Sequence, residues 1–406
     1  MLGLTLGTIL SPWADGTWLE VVNLNVFRPI GQLFLRLIFM IVVPLVVSAL
    51  VVGVYELGRS RDLRGVAMRT LLWTVALSTA SVVIGILVVN LVRPGDGLDM
   101  SGTDGAETAA LQANAAARSS FADTIVDLVP QNPVAAATGA LEGQMLPLMV
   151  ASLVFGIALS RLPSEGRAQP LIPLLEQVFA ACMAIVGYVM RFAPLAVFSI
   201  VFGTALTFGS SLLGPLLLYV GTVVLGLLLQ QVVVYPSVLR AFAGRSPLAF
   251  LRACRSVYLY AFSTASSNAT LPLSMEAARV RLGIPERIGR FVLTVGATAN
   301  QNGTALFEGV TVMFLAQAYG LDLSLGEQVR VMVMSIVAGI GTAGVPGGSL
   351  PMVLVVAQSV GVPAEGMALI LGVDRFLDMC RTTVNVGGDL VIAALVAEGE
   401  PGDEAA

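Results

Sequence analysis

Asp374-Arg-Phe-Leu-Asp-Met-Cys-Arg-Thr-Thr-Val-Asn-Val-Gly-Gly-Asp389 lies inside the apolar run 366–397, which is otherwise long enough to cross a bilayer. A helix turns ~100° per residue, so Asp374, Asp378, Arg381, Thr382, Asn385 and Asp389 fall at about 0, 40, 340, 80, 20 and 60 degrees, on one face. On insertion scales the four charged members would together cost on the order of 10 kcal/mol if they met lipid. They must therefore face protein, water or a bound ion.

The 406 residues are 56% hydrophobic and 12% charged, against about 25% charged in globular chains, which indicates a polytopic all-α membrane protein. The chain has no histidine, and all 22 of its basic residues are arginine. That removes Ser/His triads, histidine-containing zinc sites, Schiff-base lysines and P-loops. Cys182, Cys254 and Cys380 are far apart and lie in or beside apolar spans, as free membrane thiols do.

Spanning helices are expected at 28–57, 66–92, 142–161, 171–206, 210–240, 286–318 and 366–397. The apolar piece around 1–12 is shorter. It reads as a truncated first helix or a signal-like segment, and the lack of a preceding basic residue disfavours the latter. Arg59, Arg61, Arg64 and Arg69, and then Arg240, Arg245, Arg252 and Arg255, place two loops in the cytoplasm. The acidic, small-residue-rich segment 93–141 is expected to be an external loop.

Two segments do not read as simple spans: 247–282 around Ser263-Thr-Ala-Ser-Ser-Asn-Ala-Thr-Leu-Pro272, and 325–362 around Gly339-Ile-Gly-Thr-Ala-Gly-Val-Pro-Gly-Gly-Ser349. Each has two short apolar arms about a helix-breaking centre, a pattern tolerated at membrane depth only where it lines a cavity. Each is read as a re-entrant hairpin followed by one polar helix, on opposite sides of the membrane, which makes an inverted repeat. Between them, Gly296-Ala-Thr-Ala-Asn-Gln-Asn-Gly-Thr304 interrupts a span, because mid-helix Asn and Gly disfavour the helix. Asn300, Asn302, Thr304, Asn385 and Asp389 are expected to converge as an oxygen-rich site for a hard cation. Arg381 offers a rigid fork for a carboxylate, Asp378 suits an ammonium, and Asn385 can bridge them. Backbone N–H groups near Ser266-Ser267-Asn268 and Val345-Gly347 would take a second carboxylate.

These motifs resemble the glutamate transporter family, the dicarboxylate/amino acid:cation symporters. The likeness is carried by the serine-rich first tip, the Asn300-Gln301-Asn302-Gly303-Thr304 break, Gly341-Thr-Ala-Gly-Val-Pro-Gly347, and the Asp-x3-Asp-x2-Arg-Thr-x2-Asn-x3-Asp last helix. The resemblance implies eight transmembrane helices plus two re-entrant hairpins, a homotrimer embedded in membrane lipid, and an elevator motion. The implied parts are scaffold helices at 1–61, a transport-domain helix at 62–92, the external loop with scaffold helices at 93–208, and a transport-domain helix at 209–246. Hairpin 1 follows at 247–284, an unwound helix at 285–320, hairpin 2 at 321–364, the last helix at 365–398, and an acidic tail at 399–406 on the cytoplasmic side.

The implied substrate contacts are Ser266, Ser267, Thr304, Val345, Asp374, Asp378, Arg381, Thr382 and Asn385. The implied cation sites are Gly296, Asn300, Asn385 and Asp389, with Thr298, Gly339, Ile340 and Thr342 acting through backbone carbonyls. The function implied is not enzymatic. It is symport of glutamate or aspartate across the cytoplasmic membrane with Na⁺ or H⁺, and with no organic cofactor or nucleic acid. A C4-dicarboxylate or neutral amino-acid carrier is the near alternative, and an intramembrane aspartyl protease the remote one. This chain also departs from the family. Asn302 replaces a carboxylate, and Thr74 and Leu77 stand where sodium-coupled relatives carry oxygen ligands, with Ser78 retained, so one sodium site looks dismantled. Glu308 matches a position that carries a proton in animal relatives, and it reads equally as a carboxyl hydrogen-bonded in a polar seam. Ala265 stands where many prokaryotic members have Arg, with Arg375 as the replacement charge.

Overall fold

The computed structural model describes residues 2–13, 18–59, 64–98, 129–140, 145–162, 170–342, 344 and 347–398. Most of the expected external loop, Arg61, Val345 and the tail at 399–406 lie outside the described residues. Regular structure among those described is entirely helical. The helices are α1 (Leu2–Leu10), α2 (Trp18–Val22), α3 (Arg28–Arg59), α4 (Arg64–Val92), α5 (Pro133–Thr138), α6 (Met145–Arg161), α7 (Leu171–Phe208), α8 (Leu213–Leu229) and α9 (Tyr235–Phe242). They continue as α10 (Pro247–Thr264), α11 (Ser267–Glu276), α12 (Glu286–Ala299), α13 (Asn302–Ala318), α14 (Leu325–Gly341), α15 (Leu350–Ser359) and α16 (Met367–Ala397).

By length and composition four described segments can cross a membrane: Gly65–Val92, Leu171–Val189, Leu213–Phe242 and Leu369–Ala397. The third is continuous because a π turn, Gln230–Val234, joins α8 to α9. The run expected at 286–318 is instead two helices, broken at Asn300-Gln301, and Thr304 is already helical within α13. At ~1.5 Å per residue, the ten-residue α15 spans only about half of a ~30 Å hydrocarbon layer, and α11, extended by the π turn Ala277–Arg281, also falls short of it. Each therefore pairs with its preceding helix across a sharp break, α10 with α11 and α14 with α15. The first break is tight: Ala265 takes a left-handed backbone (φ 50), which is strained for a residue with a Cβ.

The packing puts the polar helices at the centre. All of α13 except Gln317 is buried, and α16 is buried along most of its length. A helix enclosed all round needs neighbours on every side. α13 packs on α4, α14 and α16, while α10, α11 and α12 close the far side of α16. α1, α3, α6 and α7 form a second packed group, touching the first mainly through α3 on α14 and α7 on α16. Around the centre, Tyr219 donates to or accepts from Thr311 at 2.8 Å and stacks on Phe314 at 4.4 Å.

α13 and α16 approach closely because Gly303 lacks a side chain. A Cβ there would lie 2.6 Å from the Arg381 carbonyl oxygen and 3.1 Å from its Cα, and backbone atoms cannot swing away. Gly303→Ala is expected to cost about 1–3 kcal/mol by overpacking, seen as a lowered melting temperature of the detergent-solubilised protein. An unchanged melting temperature would show that the two helices can separate without loss.

Candidate functional site

The break at Asn300-Gln301 leaves the N-terminus of α13 with backbone N–H groups that lack intrahelical partners. Asn385 supplies the acceptor from another helix. Its Oδ1 accepts from Gly303 N at 2.7 Å and Thr304 N at 3.2 Å, while its Nδ2 donates to Gln301 Oε1 at 2.5 Å and Thr304 Oγ1 at 3.0 Å. Asn385 thus holds the two helices in register. The expected face of α16 is real: Asp374, Asp378, Arg381, Thr382, Asn385 and Asp389 are all buried.

Arg381 is 1% exposed and sits between two carboxylates. Nη1 donates to Asp374 Oδ1 at 2.9 Å, and its guanidinium lies over the Phe307 ring at 4.1 Å, a cation–π distance. Nη2 is 3.1 Å from Asp378 Oδ1, an ion pair, yet at an angle too poor for a hydrogen bond. Asp378 reaches the segment between α14 and α15, since its Oδ2 accepts from Gly347 N at 3.0 Å. The triad Asp374–Arg381–Asp378 carries one excess negative charge with little water to screen it, and a buried ion pair is stable only when its remaining charge is met.

The break between α10 and α11 meets the one between α14 and α15. Ser266 Oγ and Asn268 N both donate to the Gly344 carbonyl, at 2.9 and 3.1 Å. Beneath them lies a cavity of about 10 Å³, room for about one water. Its lining includes Ser267, Thr304, Thr342, Asp378, Arg381, Thr382 and Asn385, and also Gln301 and Ser349. Of the expected substrate contacts, Asp374 acts behind Arg381, Ser266 ties the tips together, and Val345 lies outside the described residues.

The five oxygen-bearing side chains expected to converge form three sets of hydrogen bonds. Asn300 Nδ2 donates to Asp389 Oδ1 at 2.7 Å, Asp389 seats directly against Gly296, and Asn300 Oδ1 has no partner among the described residues. Thr304 and Asn385 belong to the cavity. Asn302 bonds to α4 and α9. Its Oδ1 accepts from Ser78 Oγ at 2.6 Å and its carbonyl from Ser81 Oγ at 2.8 Å. Its Nδ2 donates to the Tyr235 hydroxyl at 3.1 Å, which donates in turn to the Val384 carbonyl at 3.1 Å. An amide fits this position because Tyr235, whose proton is already committed, needs a donor. Gly388 makes room for the network, since a Cβ there would lie 2.6 Å from both Asn302 Nδ2 and the Tyr235 oxygen.

Among the other expected cation positions, Gly339 and Thr342 are buried, Ile340 is half-buried, and Thr298 is exposed with its hydroxyl on the Val295 carbonyl. Glu308 is fully buried beside Thr342 and Arg381, without a well-aligned hydrogen bond to its carboxyl oxygens among the described residues. Arg375 is exposed, and the partner of Asp374 is Arg381.

The reading of the sequence missed Gln301, Ser349, Tyr235 and Gln230, whose Nε2 donates to the Leu77 carbonyl at 3.2 Å. The glutamine pair 230–231 inside an apolar span was the available signal for the last two. Ser349 had only its place beside a glycine-rich tip.

Residues 1–398 match the family described as the sodium:dicarboxylate symporter family. The proton/glutamate-aspartate symporter of Escherichia coli (strain K12) is 36% identical over 405 residues, covering 98% of this chain and 91% of that protein. A proton/sodium-glutamate symport protein of Bacillus subtilis (strain 168) is 34% identical, with 98% and 91% covered. A C4-dicarboxylate transport protein of Rhodospirillum rubrum is 31% identical, with 93% and 83% covered. With the match running from the first residue to the end of α16, the chain belongs to the sodium:dicarboxylate symporter family.

Proposed function

We propose that this protein is a secondary active symporter that carries glutamate or aspartate across the cytoplasmic membrane together with Na⁺, H⁺ or both. The carrying observation is the buried Asp374–Arg381–Asp378 triad under two touching hairpin tips. The Arg381 fork takes a carboxylate and the excess charge at Asp378 takes an ammonium. The functional names of the bacterial relatives support the same substrate class. The chain is then eight transmembrane helices plus two re-entrant hairpins, with its C-terminus cytoplasmic. It works as a homotrimer whose hairpin-bearing half moves as an elevator against a scaffold of the remaining helices.

The cavity holds about one water, far less than an amino acid, so a hairpin tip must lift for substrate to bind. Hairpin 2 is the moving part in this reading. It is held shut by Gly347 on Asp378 and by Gly344 on hairpin 1, and an ammonium arriving at Asp378 competes for the first of those contacts. Coupling follows from charge. Asp378, Arg381 and Asp389 sum to −1 and the buried Asp374 makes the core −2, so a cation lowers the energy of the closed state, while an anionic amino acid without one adds negative charge to it. Gly296, Asn300 and Asp389 form the cation position, helped by carbonyls of Thr298, Gly339, Ile340 and Thr342. Asn302, its oxygen and nitrogen both occupied, leaves a second sodium position without its carboxylate.

Uptake of glutamate into proteoliposomes under imposed Na⁺ and H⁺ gradients tests the function. Accumulation driven by at least one gradient is expected, and uptake indifferent to both would remove coupling. The C4-dicarboxylate reading, supported by the relative from Rhodospirillum rubrum, requires succinate to compete with labelled glutamate.

Glu308 is the proton carrier in this scheme. A buried carboxyl without an ion-pair partner or a well-aligned donor among the described residues is stable when it holds a proton. Glu308→Gln keeps the shape and removes the exchangeable proton. Glutamate binding within about threefold of wild type, with loss of the H⁺-gradient contribution to uptake, is expected. Unaltered H⁺ drive in that variant would exclude the role.

A further inference from the structure

Residues 240–290 contain eight arginines and two acids, Glu276 and Glu286, and Glu286 already pairs with Arg290 at 2.8 Å. Three of these arginines gather beside one another on α10. Arg252 and Arg255, three residues apart, share a helix face and are both exposed. Arg281, at the end of the π turn Ala277–Arg281, crosses α10 alongside them, its Nη1 donating to the Ala253 carbonyl at 3.1 Å and to Ser256 Oγ at 2.6 Å. Those partners are neutral, and no carboxylate lies within ion-pair distance of Arg252, Arg255 or Arg281 among the described residues. Like charges held together repel, so the cluster is suited to an anion from outside the chain. The same side of α10 turns apolar toward the break at Ala265. Leu251 and Leu259 are 47% and 69% exposed, and Leu259 lies one turn beyond Arg255. Along a straight helix Leu259, Arg255 and Arg252 are ~9, ~15 and ~20 Å from that break. With the break at the middle of a bilayer, Leu259 lies in the hydrocarbon, whose half-thickness is ~15 Å, and the two arginines lie at headgroup depth.

We infer that Arg252, Arg255 and Arg281 bind the headgroup of an anionic phospholipid, with an acyl chain lying along Leu259. The membrane placement rests on the transport reading above; the convergence of three arginines without a carboxylate does not. A soluble anion would meet the arginines alone, whereas a phospholipid brings phosphate and chain to the two levels that the exposed side of α10 provides. Juxtamembrane arginines attract anionic lipids in just this way. The lipid would then rest on α10 and the end of the π turn, the two ends of the segment whose break at Ala265 covers the cavity beside Arg381.

The test measures binding of a fluorescent phosphatidylglycerol to the full-length protein in uncharged detergent, with unlabelled lipids as competitors. Unlabelled phosphatidylglycerol should displace the probe about tenfold better than phosphatidylcholine with the same chains, and binding should weaken as salt is raised. A basic residue at a membrane surface strengthens such binding by about fivefold, so Arg252→Gln combined with Arg255→Gln should bind the probe about 25-fold less tightly. Glutamate affinity in that double variant should stay within about threefold of wild type. Arg161→Gln, at the end of α6 in the other packed group, should bind the probe as wild type does. Unchanged probe affinity in the double variant overturns the inference, as does an equal loss in Arg161→Gln or equal competition by phosphatidylcholine. Equal competition by glycerophosphoglycerol, the headgroup without its chains, would show a site for a soluble anion and overturn the lipid assignment. The competition and salt arms use the wild-type protein, so they decide even where the double variant does not fold. Failure of the wild type to bind glutamate would remove the transport reading and leave these outcomes as they stand.

Discussion

Arg381→Ala is expected to abolish measurable glutamate binding, a loss of at least a hundredfold. The guanidinium is buried, and it is the only cation within ion-pair distance of Asp374 and Asp378 among the described residues. Its removal deletes the carboxylate's partner and leaves two like charges facing the cavity. Breaking a buried ion pair from one side costs about 3–5 kcal/mol, and here the remaining field also repels the anionic substrate. Arg381→Lys separates charge from geometry. A lysine restores the positive charge but not the planar fork or the stacking on Phe307, so it should recover part of the affinity and leave a deficit of about tenfold or more. Equilibrium binding of labelled glutamate decides the matter, with circular dichroism confirming that the helices persist. Affinity within about threefold of wild type in the alanine variant would refute carboxylate recognition at this residue.

Asp389→Asn should uncouple substrate from cation. Asp389 is buried against Gly296 and Asn300, with no basic side chain within ion-pair distance among the described residues, so its charge is open to a bound ion. The amide keeps size and can still accept from Asn300, so the fold should survive. Coupling free energies between sites are typically 1–3 kcal/mol, which predicts that cation addition, tightening glutamate binding by about 5- to 150-fold in the wild type, has little effect in the variant. Binding titrated across Na⁺ concentrations at fixed pH, and across pH without Na⁺, measures both arms. A cation dependence identical to wild type would move the ion elsewhere.

The parts of this architecture legible from residues alone follow from strong, local costs. Charge in an apolar run is expensive wherever the chain goes, so the polar face of α16 could be drawn from angles. The helix-breaking centres of both hairpins were likewise readable, because glycine and small polar residues disfavour helix in any context. Local cost did not decide how the pieces face one another. Spacing alone made Asn302 a candidate to join Asn300 and Asp389. In the fold it is claimed by Ser78 on α4 and by Tyr235 just beyond the π turn, residues whose separation along the chain hides their contact. The same holds for Asn385, which reads as a ligand on its helix and in place caps the broken α13.

Composition, the charged stripe on the last helix and the two interrupted segments were enough to indicate a helical membrane protein with a mixed-charge core, since burial of charge and loss of helix are penalties each stretch carries by itself. The pairing of Arg381 with two aspartates, the closure of one tip on the other and the division of the oxygen ligands came from three-dimensional packing. Hydrogen bonds and ion pairs act over a few ångströms, and only the folded chain brings residues from α4, α9, α13, α14 and α16 within that range.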